Sequence, residues 1–144
     1  VWTTYFNSGR ETTHVSVEEW IEEAQIRKVG EIMVIDVERD GTAEGFNIDL
    51  YNRLKANCDV PMIASGGAGT IQDCLDIAPI VDGICLSSML HYRILKRVNN
   101  LEQGLTDFSF SPKQQLSHPK RLQCCTITNL KNALNKAGYD IRMQ

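Results

Sequence analysis

No apolar run in these 144 residues approaches the roughly 20 needed to span a bilayer, so no transmembrane helix is expected. The start, Val1-Trp2-Thr3-Thr4-Tyr5, has no basic region and no cleavage pattern, which argues against a signal peptide. It also lacks an initiator methionine, as a processed chain or a fragment would. Basic clusters are missing too. Lys96-Arg97 and Lys120-Arg121 are isolated pairs in a chain of net charge −3, far too sparse for a nucleic-acid footprint. The five cysteines include no CxxC, and no His or Cys spacing suggests zinc or another metal. Adjacent Cys124 and Cys125 are poorly placed to bridge each other, while Cys74 and Cys85 sit in apolar patterns and are expected as small buried hydrophobes. These absences leave a soluble globular domain in a reducing, cytoplasmic setting.

What is present is an alternation of strand and helix signals. Val1 to Phe6 is β-branched and aromatic, and reads as a strand ending in the turn Asn7-Ser8-Gly9-Arg10. Ser16 with Glu19 three residues on makes a capping box, and Val17, Trp20, Ile21 and Ala24 share one helical face expected to pack in the core. Gly30 is expected to stop that helix in a left-handed conformation. Ile32-Met33-Val34-Ile35 is a short continuous apolar run, suited to a parallel strand buried on both faces. A helix from Ile48 to about Ala56, a strand at Pro61-Met62-Ile63-Ala64, a helix capped by Thr70, and a strand at Gly83-Ile84-Cys85-Leu86 follow. Short loops between such units predict an α/β fold with a parallel sheet. From Leu101 to Thr126 the pattern dissolves, and this stretch reads as an irregular insertion within a single domain of residues 1–144. A final helix begins near Thr128 and stops at Gly138.

The chemistry lies where the glycines fall. Asp40-Gly41-Thr42, Ser65-Gly66-Gly67-Ala68-Gly69 and Ser87-Ser88 all follow the C-terminal ends of strands. Glycine lets backbone N–H groups approach an anion, a hydroxyl adds a donor, and the next helix N-terminus adds a favourable dipole. Each loop alone is more often a plain connection. Together they predict a grip on one phosphate.

Glu31-Ile32, Arg39-Asp40-Gly41-Thr42, Ile63-Ala64-Ser65-Gly66-Gly67-Ala68-Gly69 and His91 together resemble the cyclase subunit of imidazole glycerol phosphate synthase, over about residues 1–95 and 127–143. The related isomerase of histidine biosynthesis shares some of these elements, but Ala64-Ser65-Gly66-Gly67-Ala68-Gly69 favours the cyclase. The resemblance implies a (β/α)8 barrel, of which this chain supplies strands six to eight. It implies a phosphorylated small-molecule substrate with two phosphates, a glutaminase partner that supplies ammonia, and no cofactor. Carried over by position, Asp40, Gly41, Thr42, Ser65, Gly66, Gly67, Ser87 and Ser88 would line one phosphate site, and Ser8 and Gly9 would help at the other end. Glu31 would lie on the face that meets the glutaminase. The family's acid and base are aspartates on strands one and five, which this chain lacks, so no catalytic residue is assigned.

The sixth strand reads Val34-Ile35-Asp36 where cyclases carry small hydroxylated residues, and Asn47 stands where an aspartate is usual. Two alternatives therefore remain open: a cyclase-like partner of an amidotransferase in bacterial surface-sugar synthesis, or a non-catalytic phosphate-binding half-barrel. His91 reads as structural rather than as a base, and His14 and His118 as surface residues. Asp36 with Glu38 reads as an ordinary loop before it reads as an acid–base pair. Three parallel strands cannot close a barrel, so the isolated chain is expected to be inactive and to self-associate or belong to a longer polypeptide.

Overall fold

The computed structural model describes residues 2–101 and 120–143, with backbone only for 95–101. Much of the expected insertion 101–126 thus lies outside the described residues, as does His118. The chain opens with an antiparallel hairpin, β1 (Thr3–Phe6) and β2 (Glu11–Ser16). Asn7, Ser8 and Gly9 turn it with φ of +49°, +57° and +79°. The return strand was not expected from the sequence, because Glu11-Thr12-Thr13-His14 alternates no apolar residues. Its β-branched Thr12, Thr13 and Val15 were the available signal.

Helix α1 (Val17–Ile26) starts with the expected capping box, Ser16 and Glu19 each bonding the other's backbone N–H. It ends earlier than Gly30. Lys28, at φ +60°, takes the left-handed position, and its N–H donates to the Gln25 carbonyl. Trp20 also departs from expectation: it is 58% exposed and lines the groove between the hairpin and the main sheet, while Ile21 on the same helix is buried.

The main sheet is parallel, in the order β3 (Ile32–Ile35), β4 (Met62–Ser65), β5 (Gly83–Cys85). Ile32 pairs with Met62 and Ile35 with Ser65, while Ser65 also pairs with Cys85. Helices α2 (Ile48–Lys55) and α3 (Ile71–Ile77) connect the strands, and α4 (Ser88–Leu101) and α5 (Ile127–Lys136) follow. The helices cover one sheet face. Met62 and Ala64 are sealed there with Tyr51, Leu54, Cys74 and Ile77, and Ile32, Val34 and Ile84 pack against them. Each such large side chain contributes about 1.5–3 kcal/mol by leaving water.

The other face stays open, which corrects two expectations. The run Ile32–Ile35 is buried on one side only, and Cys85, whose strand alternation points it to the open side, is exposed, whereas Cys74 is buried as expected. Gly138, at φ +95°, stops α5 as the sequence predicts. Among the described residues, no helix is long and apolar enough to cross a membrane.

Candidate functional site: a dent at the strand ends

The carboxyl ends of β3, β4 and β5 lie side by side, so the loops after them are neighbours. The Tyr51 hydroxyl fixes two of these ends. It lies 3.0 Å from the Val34 carbonyl and 2.9 Å from the Ser65 carbonyl, and accepts from the Ser65 N–H at 3.2 Å. Burial pushes its pKa up to about 12, so it remains a neutral donor.

After β3 the chain coils tightly. The N–H groups of Arg39 and Asp40 donate to the Asp36 carbonyl at 3.2 and 2.9 Å, and Gly41 takes φ +75°. Asp36 is a turn residue: its carboxylate accepts from the Glu38 N–H at 3.1 Å and sits 3.9 Å from Arg39 Nε. This is the loop role rather than a paired acid and base. The Thr42 hydroxyl donates to the Arg39 carbonyl at 2.8 Å and accepts from the Glu44 N–H at 3.2 Å.

After β4, Gly66 and Gly67 take φ of +90° and +102°. A Cβ on Gly66 would stand 2.6 Å from the Asp36 carbonyl oxygen, and one on Gly67 would stand 2.3 Å from the Gly45 carbonyl oxygen. The two loops press backbone to backbone, and the Gly45 N–H donates to the Gly67 carbonyl at 2.8 Å. Close packing therefore demands these glycines independently of any anion. The N-terminus of α3 is already answered from within. Asp73, only 4% exposed, accepts from the Gly69 and Thr70 N–H groups at 2.9 and 2.8 Å. Arg121 pairs with both oxygens of that carboxylate. Burial pushes the Asp73 carboxyl up, but Arg121 and the two N–H groups outweigh it and hold it below the usual carboxylate range.

After β5, the Ser87 carbonyl accepts from the Leu90 and His91 N–H groups at 3.1 and 2.9 Å and starts α4. That helix has no acidic residue in its own first turn. His91 is exposed on α4, its ring 5.9 Å from that of Tyr92 in an edge contact.

Asp40, Gly41, Ser65, Gly66, Gly67, Ser87 and Ser88 line one small dent of about 20 Å³, with Cys85 and Met89. Water needs roughly 10–15 Å³ on such a measure, so the dent suits a small group rather than a whole nucleotide. Thr42 is not among its lining residues, because its hydroxyl is spent inside its own turn. Asp40 has no N–H to spare, having given it to Asp36. Ser8 and Gly9 lie apart, on the hairpin turn, where they line a groove of about 360 Å³ beside β3. Asp73 and Arg121 were not anticipated. Thr70-x-x-Asp73 is a capping-box spacing that signals the first, but nothing local signals a partner 48 residues away.

Residues 3–96 match the model of the family described as histidine biosynthesis protein. The chain belongs to that family. Among curated relatives, it is 39% identical to imidazole glycerol phosphate synthase subunit HisF of Lactiplantibacillus plantarum over 61% of this chain and 36% of the relative. It is 37% identical to the same-named subunit of Clostridium beijerinckii, over 76% of this chain and 44% of the relative. For that of Beutenbergia cavernae the identity is 33%, over 72% and 41%. The chain thus spans about two fifths of the length of the relatives it matches.

Proposed function

We propose that this chain is the C-terminal part of an imidazole glycerol phosphate synthase cyclase subunit, and that the dent at the strand ends seats one substrate phosphate. The observation that carries the reading is convergence. Three loops, from three successive parallel strands, meet at one dent beside the N-terminus of α4. The donors come from the Gly66-Gly67 backbone and the hydroxyls of Ser65, Ser87 and Ser88. Asp40 presents a carboxylate, which suits a ligand hydroxyl better than the phosphate. Ser8 and Gly9 remain the proposed aid at the second phosphate, from their separate groove.

The shape of the sheet supports strands six to eight of an eightfold barrel. Among the described residues, β3 and β5 pair only with β4, and each outer edge opens on a largely apolar groove. The groove at β5 measures about 580 Å³ and is floored by Leu130 and Leu134 of α5. A further strand on each side would fill these grooves, from the rest of the polypeptide or from a second copy. A glutaminase subunit is the proposed source of ammonia, with exposed Glu31 on its docking face. The acid and base are assigned to the parent's other strands, so this chain alone holds substrate without transforming it.

The test is a titration of the chain with inorganic phosphate, followed by backbone amide shifts. Saturable shifts at Gly66, Gly67 and Ser87–Met89, abolished by Ser88→Glu, are expected. Shifts elsewhere, or none, overturn the phosphate seat. Ring closure by the chain alone, supplied with ammonia, would overturn the division of labour.

A further inference from the structure

Residues 120–126 return to the domain across both loops that frame the dent. The Gln123 N–H donates to the Gly69 carbonyl at 2.7 Å. Arg121 Nη1 donates to the Ala43 carbonyl at 2.9 Å and to Asp73 Oδ2 at 3.0 Å, and Nη2 pairs with Asp73 Oδ1. Ala43 belongs to the loop after β3, whereas Gly69 and Asp73 belong to the loop and helix after β4. One guanidinium therefore bonds the loop after β3 directly and the loop after β4 through Asp73, whose carboxylate accepts from the Gly69 and Thr70 N–H groups. It does so where they already touch: a Cβ on Gly69 would stand 2.4 Å from the Ala43 carbonyl oxygen. Arg121 lies outside the family match of residues 3–96.

We propose that Arg121 is a positioning residue for the phosphate dent, clamping the loop after β3 to the loop after β4 so that their backbone donors hold a fixed spacing. The proposal rests on the reading of the dent as a phosphate seat. Arg121 does not line the dent, and its side chain is 48% exposed, so it acts through the loops rather than by touching the ligand. Its partner is nearly sealed. Without the guanidinium, a buried carboxylate keeps only its bonds to Gly69 and Thr70, and the bond to Ala43 is lost. A preorganised anion site depends on such support, because donors that must first be gathered bind less well.

Inorganic phosphate is titrated into the chain, Arg121→Ala and Arg121→Lys, with amide exchange recorded at Gly45, whose N–H bonds the Gly67 carbonyl. Arg121→Ala should bind phosphate about 5-fold or more weakly, the lower end of ordinary coupling between sites. Gly45 exchange should quicken while the amides of Met62–Ser65 keep their protection. Arg121→Lys retains the charge but cannot span both loops, and should recover only part of the affinity. It also serves if the alanine variant fails to fold. Equal affinity in the chain and Arg121→Ala, or full recovery in Arg121→Lys with Gly45 unchanged, overturns the clamp alone. An unaltered chain that binds no phosphate overturns the seat, and the clamp with it.

Discussion

On one side of the three-stranded sheet Met62 and Ala64 have no exposed surface, and on the other Met33 and Ile35 stand 50% and 52% exposed. The same strands, at the same alternation, build both faces. The helix side has its cover from α2, α3 and α5, while the other side meets no comparable layer among the described residues. An apolar run suits a strand covered on both sides. Ile32–Ile35 carries that pattern but receives one cover among the described residues. The loops repeat the contrast. Gly67 presses on Gly45, whereas Gly41 has nothing within 4 Å of where a Cβ would stand.

The sharpest way to break this comparison is to place a charge on each face. Met62→Asp buries an unpaired carboxylate at a cost on the order of 5 kcal/mol, comparable to the whole stability of a domain, and should yield unfolded chain by circular dichroism. Met33→Asp should leave the fold of the chain intact, and should abolish any self-association measured by analytical ultracentrifugation. Equal damage from both would show that the open face is covered after all. A smaller effect separates the two glycines. Gly67→Ala meets a carbonyl oxygen at 2.3 Å with φ +102°, and should cost about 3 kcal/mol or more in denaturant unfolding. Gly41→Ala, at φ +75° in open space, should cost about 1–2 kcal/mol.

The smallest effect depends on pH. The folded pKa of Asp73 is held below its ordinary value, so its stabilising contribution is present above the unfolded pKa of about 3.9 and is lost as pH falls through the folded value. Arg121→Ala removes the largest of the lowering causes. It should cost about 1 kcal/mol at pH 7, modest because the guanidinium is half in solvent, and the difference from the unaltered chain should shrink below about pH 4. Thermal melts across that range measure it, and a difference that is flat with pH would sever the link to Asp73.

The sequence was most legible where the signal is local. Ser16 with Glu19, Thr70 before α3, and the apolar strands Ile32–Ile35 and Met62–Ser65 lie where propensity and capping put them. Legibility failed where a neighbour decides. Trp20 shares the helical stripe of Ile21, yet faces a groove. Cys85 looked apolar and buried, yet its strand turns it to the open side. Thr42 belonged to a motif with Gly41, yet its hydroxyl closes its own turn. The glycines after β4, proposed as anion donors, also meet a packing need between the loops that the sequence does not show.

By itself the sequence determined the strand–helix alternation, the family, and the position of the Gly and Ser residues at three strand ends, because periodicity, capping and turn chemistry act over a few residues. Only the tertiary structure decided that six of those residues share one dent with Asp40, and that Arg121 reaches Asp73 and Ala43 across the chain. Those facts depend on strand order and register, which bring distant residues together through contacts that no short stretch of sequence encodes.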